Sequence, residues 1–122
     1  DRVELWGTGK PLREFLWSEE MADASVYILE RVDFKDTYDA GGRAIRNCHI
    51  NIGTGKELTI AELADLIKQT VGYEGTIQFD ASKPDGTMRK LTDVSKLHAL
   101  GWHHQIEIEE GVARLYQWYL QH

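Results

Sequence analysis

The sequence contains one cysteine, two prolines and no continuous apolar run of the about 20 residues that a membrane span requires. Because such a run is missing and no signal peptide is visible at the start, we expect no membrane partner. Cys48 has no second cysteine with which to form an internal disulfide, which favours a reducing compartment and therefore the cytoplasm. Since Cys48 lies in a strand-like run, we expect a buried and unreactive thiol.

Basic residues are also few: 14 lysines and arginines stand against 20 aspartates and glutamates, a formal net charge of −6 at pH 7. Surfaces that bind nucleic acid are basic, so this balance argues against DNA or RNA as a partner. The 122 residues, of which 42% are hydrophobic and 28% charged, are typical of one globular domain with a modest core. We expect a binding partner that is small and recognised locally.

The motifs of several common nucleotide-binding and catalytic sites are missing. The stretch Gly-Thr-Gly-Lys occurs at 7–10 and again at 53–56, but neither copy has the spacing of a phosphate-binding P-loop. A Gly-x-Gly-x-x-Gly dinucleotide fingerprint and a Tyr-x-x-x-Lys pair are both absent. The scattered histidines, without a cysteine pair, predict no metal site; they are His49, His103 and His104. Hydride-transfer chemistry therefore has no evident residues in this sequence.

Strands and helices alternate along the chain, which predicts an α/β or α+β fold with too few strands for a complete doubly wound sheet. Short runs of extended character are predicted at 2–7, 12–17, 48–53 and 76–80. Helical spacing predicts about four helices, which start at Ser18 and Thr59, cover 94–100 and close the chain. Residues 34–46 have no periodicity and contain Gly41 and Gly42, which indicates an exposed loop.

Local signals define the helix ends and faces. Thr59 and Glu62 are spaced as a capping box, and Gly72 supplies a left-handed stop. Asp93 can cap the short helix at 94–100. A buried stripe is predicted on the first helix, formed by Met21, Ser25, Ile28, Leu29 and Val32. The last helix has one apolar face, formed by Val112, Leu115, Tyr116, Tyr119 and Leu120.

A small group of cations follows the predicted strand 76–80: Lys83, Arg89 and Lys90 surround a Pro-Asp-Gly turn. Upstream, a tight turn joins the extended segments that carry Trp6 and Arg13, which can bring an indole and a guanidinium to one pocket wall. Such a pair suits a phosphate next to an apolar sugar or base face. The same cations lie near aspartates, and an exposed loop that compensates its own charge is the alternative, since exposed pairs contribute only ~0–1 kcal/mol.

The stretches WGTGKPLREFL at 6–16 and FDASKPDGTMRKLTD at 79–93 closely resemble the C-terminal part of the GDP-L-fucose synthase family. These enzymes are extended short-chain dehydrogenases that act on nucleotide sugars. The resemblance runs nearly from end to end and is weakest at 34–46. It implies that residues 1–122 form the small C-terminal α/β domain that binds the GDP-sugar. The Rossmann domain that binds NADP, and every catalytic residue, would then lie upstream of this sequence.

The resemblance also implies roles for particular residues. Trp6 matches a tryptophan of the substrate pocket, while Arg13 and Lys90 match cations that hold the diphosphate of the substrate. Lys83 and Asp85 would lie in the loop beneath the nucleotide. The family's reaction converts GDP-4-keto-6-deoxy-mannose to GDP-L-fucose by epimerisation at C3 and C5 and NADPH-dependent reduction at C4, in a homodimer. An independent nucleotide-sugar-binding module, the substrate domain of another nucleotide-sugar epimerase or reductase, and a structural domain with a solvated loop remain the alternatives.

Overall fold

A computed structural model describes residues 1–38 and 45–122 of the chain. Its strands are β1 (Arg2–Trp6), β2 (Leu12–Arg13), β3 (Leu58–Thr59) and β4 (Thr76–Asp80). Its α-helices are α1 (Ser18–Arg31), α2 (Ile60–Val71), α3 (Ser95–Ala99) and α4 (Ile108–Gln121), and one 3₁₀ turn covers Phe34–Thr37. Within these ranges the predicted α/β fold with few short strands and about four helices is confirmed.

The strands form two separate pairs. β1 and β4 run parallel, with Arg2 opposite Thr76 and Trp6 opposite Asp80, while β2 and β3 are antiparallel. Parallel neighbours cannot be joined by a tight turn, and the long connection between β1 and β4 accordingly contains α1 and α2. Because both parallel strands end at the same edge, the loops that follow Trp6 and Asp80 leave the sheet side by side.

Helix α2 has the ends that its sequence predicts. The Thr59 amide donates to Glu62 Oε2 at 2.7 Å, and the Glu62 amide donates back to Thr59 Oγ1 at 3.1 Å. This reciprocal capping box satisfies two amide groups that would otherwise have no partner in the helix. Gly72 ends the helix with φ of 69°, a left-handed conformation that glycine adopts without a steric penalty.

The buried face of α1 differs from the predicted stripe. Leu29 is 84% exposed and Met21 is 49% exposed, whereas Ala24 and the carboxylate-bearing Glu20 are buried. Glu20 can be buried because its Oε1 accepts hydrogen bonds from the backbone amides of the segment that precedes α4, which offsets the loss of water. Hydrophobic periodicity could not reveal this, since the pattern assigns a glutamate to the solvent face.

The most buried side chains lie where α1 meets α3 and the turn that follows it. Ala24, Leu97 and Trp102 are at most 5% exposed and form the centre of the core. Two polar contacts hold the same elements together: Trp102 Nε1 donates to Asp23 Oδ2 at 2.8 Å, and the Tyr27 hydroxyl donates to a backbone carbonyl at 2.8 Å. The core is therefore small and is formed mainly by the second half of the chain closing on α1.

The prediction of a strand at 48–53 was wrong, and so was the prediction that Cys48 is buried. No strand pairs with this segment in the described part of the chain, and Cys48 is exposed. Instead, Ile50 and Ile52 pack against the core, while the ammonium group of Lys96 donates to the backbone carbonyls of Asn47 and His49. Alternation of side chains indicates an extended backbone, but it does not show whether a neighbouring strand is present.

Two further local predictions have mixed outcomes. α3 begins later than expected, at Ser95, and the Asp93 carboxylate accepts a hydrogen bond from the Ser95 amide at 3.0 Å from outside the helix. In the segment predicted as a loop, Phe34–Thr37 forms a 3₁₀ turn with Thr37 buried. Gly41 and Gly42 lie outside the described residues.

A large share of the apolar surface is uncovered. On α4, Leu115, Tyr119 and Leu120 are between 57% and 69% exposed, although they belong to the apolar face that the sequence predicts. A second apolar surface lies between α2 and the β1–β4 pair, where a groove of about 430 Å³ separates the helix from the sheet. Aliphatic side chains line it almost entirely, among them Val3, Leu5, Leu63, Ile67 and Ile77. Exposed apolar faces of this size favour association.

We therefore expect this 122-residue chain to self-associate as its concentration rises, because association removes apolar surface from water. Sedimentation velocity over a concentration series measures this directly. Leu115→Lys should reduce the association, whereas Ala113→Lys on the same helix adds the same charge without removing a large apolar group. A single sharp monomer boundary at every concentration would contradict the expectation.

Candidate functional site

The candidate site lies at the edge where β1 and β4 end. The Gly7 amide donates to the Asp80 carbonyl at 3.0 Å, which carries the strand pairing one residue beyond Trp6. The loop of residues 7–11 and the loop of residues 81–93 start from this point and run next to each other. Trp6, Arg13, Lys83, Asp85 and Lys90, the five residues singled out in the sequence, lie in or beside these two loops.

Asp85 fastens one loop to the other. Its Oδ1 accepts from the Thr8 amide at 2.7 Å and its Oδ2 accepts from the Thr8 hydroxyl at 2.6 Å. These hydrogen bonds, first from the hydroxyl and then from the amide, hold the pKa of Asp85 below its ordinary value, with the charge of Lys10 adding to the effect. Gly7 leaves room for the contact, because a Cβ at its position would overlap the Asp85 carboxylate. In this structure Asp85 is a clasp between the loops, which sequence reasoning did not foresee.

Arg13 reaches across from β2 to the second loop. Its Nη1 donates to the Thr87 carbonyl at 2.6 Å and to the Leu12 carbonyl at 2.7 Å. A Cβ placed on Gly86 would lie 3.0 Å from Arg13 Nη2, so the loop backbone passes close to the guanidinium. Two carbonyls thus hold the plane of the guanidinium while its remaining N–H donors are left for another acceptor.

Arg13 and Trp6 line the same cavity, as the tight turn between their segments suggested. The cavity measures about 90 Å³, and its other lining residues are Gly9, Pro11, Ile60, Asp85 and Gly86. Trp6 is 73% exposed, so its indole is not part of the core. The ammonium of Lys83 lies 5.7 Å from the centre of the indole ring, within the range of a cation–π interaction. The site therefore presents an open aromatic face next to two cations.

The remaining cations of the loop have different surroundings. Arg89 Nε lies 2.7 Å from Glu57 Oε1, an ion pair that occupies its guanidinium. Lys90 is exposed, and in the described ranges its ammonium has no hydrogen-bond or ion-pair partner. The structure thus separates the predicted cluster into a paired Arg89 and an available Lys90.

Glu14, next to Arg13, is a site residue that sequence reasoning missed. Its Oε1 accepts from the Thr54 and Gly55 amides, both at 2.6 Å, and its Oε2 accepts from the Thr92 amide at 3.1 Å. Burial by itself would raise the pKa of Glu14, but the hydrogen bonds from Thr92, Gly55 and Thr54 outweigh it and lower the pKa. The sequence signal that could have identified Glu14 is a carboxylate within the otherwise apolar run that follows Arg13.

These groups can bind an anion, and they offer little else chemically. In residues 1–38 and 45–122, no three histidine, cysteine, aspartate or glutamate side chains are arranged to hold a metal ion. Among the described helices, none combines the length and the apolar character that crossing a bilayer requires. The guanidinium of Arg13 and the ammonium of Lys90 can bind an anionic group. The exposed indole of Trp6 can cover a flat or apolar group attached to that anion.

Residues 1–53 match the family model described as the NAD dependent epimerase/dehydratase family. The chain is 49% identical to the GDP-L-fucose synthase of Escherichia coli (strain K12), over 98% of its own length and 36% of that enzyme's. The predicted resemblance to the GDP-L-fucose synthase family of extended short-chain dehydrogenases is confirmed.

Two solved structures share the fold. A GDP-6-OMe-4-keto-L-xylo-heptose reductase from C. jejuni is 46% identical with a TM-score of 0.92, over 98% of this chain and 34% of that one. A GDP-mannoheptose C4 reductase from Campylobacter jejuni with NADP bound is 44% identical with a TM-score of 0.85, over 98% of this chain and 35% of that one. The chain thus spans between 34% and 36% of the length of these three relatives.

The lowered pKa of Glu14 predicts how stability depends on pH. Its carboxylate stabilises the fold above its ordinary pKa of 4.5, and this contribution is lost as the pH falls through the lower pKa of the folded state. Urea unfolding between about pH 7 and about pH 3 should therefore show a free energy of unfolding that declines below that ordinary value.

Glu14→Gln should be less stable than the original chain at neutral pH and should show a shallower decline in acid, because the titrating group is gone. Other carboxylates, Asp85 among them, also have lowered pKa values, so part of the decline should remain. Glu74→Gln, which removes an exposed carboxylate after α2, serves as the control. Parallel pH profiles for the Glu14 variant and the original chain would contradict the prediction.

Proposed function

We propose that residues 1–122 form the GDP-sugar-binding domain of an enzyme of the GDP-L-fucose synthase type, and that Arg13 and Lys90 bind the diphosphate. The observation that carries this proposal is that Arg13 and Trp6 line one cavity together with Asp85 and Gly86 of the second loop. The same loop carries Lys90, which is exposed and whose ammonium has no partner among residues 1–38 and 45–122. The sequence identity to one synthase and two reductases that are named for GDP-sugars supports the same substrate class.

The arrangement suits a diphosphate for electrostatic reasons. The guanidinium of Arg13 can offer two parallel N–H donors to one phosphate, with its orientation already set by the Thr87 carbonyl. Lys90 and Lys83 supply further positive charge as compact ammonium groups. Charge-assisted hydrogen bonds act over a few ångströms, so they can bind an anion in a protein whose net charge is −6.

The remaining two predicted residues take supporting roles in this proposal. The exposed indole of Trp6 covers an apolar face of the nucleotide sugar, with the ammonium of Lys83 over the indole ring. Asp85 does not contact the phosphate, which would repel it; it holds the two loops together through Thr8 and so shapes the floor of the site.

The chemistry of the proposed enzyme resides elsewhere in its chain. A nicotinamide dinucleotide needs a glycine-rich turn between a strand and a helix, and no such fingerprint is present in these 122 residues. We therefore assign NADP to the part of the enzyme outside this chain, together with the groups that epimerise C3 and C5 and reduce the C4 ketone of GDP-4-keto-6-deoxy-mannose. By itself this chain is expected to be inactive. A homodimer remains a prediction from the family resemblance, and a cytoplasmic location remains a prediction from the single cysteine.

A second candidate differs only in the sugar. The two Campylobacter relatives are named for GDP-heptoses, and their identity to this chain approaches that of the E. coli synthase. The groups described here face the diphosphate and one apolar surface, which all GDP-sugars share. A reductase for another GDP-sugar would therefore use the same site, and only the rest of the enzyme would select the sugar.

Calorimetric titration of the chain with GDP and with GDP-L-fucose tests the site. We expect saturable binding that weakens as salt is added, because charges contribute to it. Arg13→Ala and Lys90→Ala should each cost about 1.5–3 kcal/mol of binding free energy, the usual range for a hydrogen bond to a charged group.

Matched controls are available for both variants. Arg114→Ala removes an arginine that pairs with Glu110 on α4, and Lys35→Ala removes a lysine that pairs with Asp33. Neither control should change the affinity for GDP beyond the error of the titration. Unchanged affinity in Arg13→Ala and Lys90→Ala would refute the diphosphate site and favour the solvated, self-compensated loop.

A further inference from the structure

We propose that Glu14 is the positioning residue of this site, because its carboxylate holds Arg13 and the segment that carries Lys90 in one fixed arrangement. This inference rests on the proposed function, since it concerns the diphosphate site described above. Glu14 itself does not contact the anion. Its two oxygens join the turn at Thr54 and Gly55 to the cationic loop at Thr92, and Glu14 acts through these two segments.

One set of hydrogen bonds ties residues 12–14 to the cationic loop. The Leu12 amide donates to the Met88 carbonyl at 2.8 Å, and the Thr92 amide donates to Glu14 Oε2 at 3.1 Å. Lys90 lies between these two tethered positions. Arg13 Nη1 also donates to the Thr87 carbonyl. Arg13 and Lys90 are therefore carried by two short stretches of backbone that are tied to each other at three points.

The other oxygen anchors the arrangement to a second turn. Glu14 Oε1 accepts from the consecutive amides of Thr54 and Gly55, which come from a different part of the chain. Gly53 makes this close approach possible, since a Cβ at its position would lie 2.6 Å from Glu14 Oε1. The carboxylate is therefore held from two sides, and a change of the Glu14 rotamer would break these hydrogen bonds.

The negative charge of the Glu14 carboxylate allows a decisive test of this inference. A carboxylate next to Arg13 repels a diphosphate, so Coulomb's law alone predicts tighter GDP binding when Glu14 is neutralised. If Glu14 instead positions Arg13 and Lys90, neutralising it loosens the site and binding becomes weaker. The two effects have opposite directions.

Glu14→Gln is the informative variant because it preserves shape. Its amide oxygen can still accept from Thr54 and Gly55, but its NH₂ group then faces the Thr92 amide, donor against donor. We expect the GDP affinity to fall about tenfold, the loss typical of a hydrogen bond to a charged acceptor. Gly53→Ala, which crowds the carboxylate without changing any charge, should weaken binding in the same direction. Glu74→Gln should leave the affinity unchanged.

Amide hydrogen exchange provides a readout that does not depend on GDP. The Leu12 amide bonds to Met88 and does not touch Glu14, so it reports whether the whole cationic segment has come loose. In Glu14→Gln it should exchange faster, while the amides of the β1–β4 pair keep their protection and show that the fold is intact. In the unmodified chain the Leu12 and Thr92 amides should be protected together.

The outcomes separate this inference from the proposed function. Equal or tighter GDP binding by Glu14→Gln, with binding by the original chain intact, overturns the positioning role but not the diphosphate site. If the original chain does not bind GDP, the proposed function fails for this chain, and exchange decides the positioning role alone. The positioning role is overturned if the Leu12 amide keeps its protection in Glu14→Gln. It is also overturned if the Leu12 and Thr92 amides exchange rapidly in the original chain.

Discussion

The parallel pairing of β1 with β4 is the constraint on which the candidate site depends. These strands lie more than half the chain apart in sequence, and their pairing sets Trp6 opposite Asp80. Everything that follows each strand must then leave from the same edge, so the Gly-Thr-Gly turn meets the loop of residues 81–93. The Asp85–Thr8 clasp and the bonds of Arg13 to that loop are possible only because the strands end in register.

An acidic protein can hold an anion when the favourable contacts are local and the unfavourable charges are occupied. Three acidic residues around the loops illustrate this. Asp85 is engaged by Thr8, Glu14 by backbone amides, and Glu57 by Arg89, so each carboxylate has a hydrogen-bond or ion-pair partner within the protein. Lys83 and Lys90 are the cations of this loop that have no carboxylate partner in the described part of the chain, and the ammonium of Lys83 lies over the Trp6 ring. Net charge therefore does not describe the site, which depends on these local contacts.

The sequence predicted those features whose causes are local. The capping box of Thr59 and Glu62 and the stop at Gly72 depend on a few neighbouring residues, and both are confirmed. The buried face of α1 and the strand expected at 48–53 depend on partners far along the chain. The strand prediction was wrong, and of the predicted stripe Ile28 packs against the core while Met21 and Leu29 are exposed. For the site, the sequence indicated that Trp6 and Arg13 could reach one pocket wall, because only a short turn separates their segments.

By itself, then, the sequence determined the acidic balance, the alternation of elements and the ends of α2, since composition and short-range hydrogen bonding decide them. Only the tertiary structure decided that Trp6 is exposed, that Arg89 pairs with Glu57, and that Glu14 joins three segments. Each of these facts is a contact between residues more than twenty positions apart or a consequence of one. Such contacts form because the whole chain folds around them, and no local pattern records which of the many possible partners is chosen.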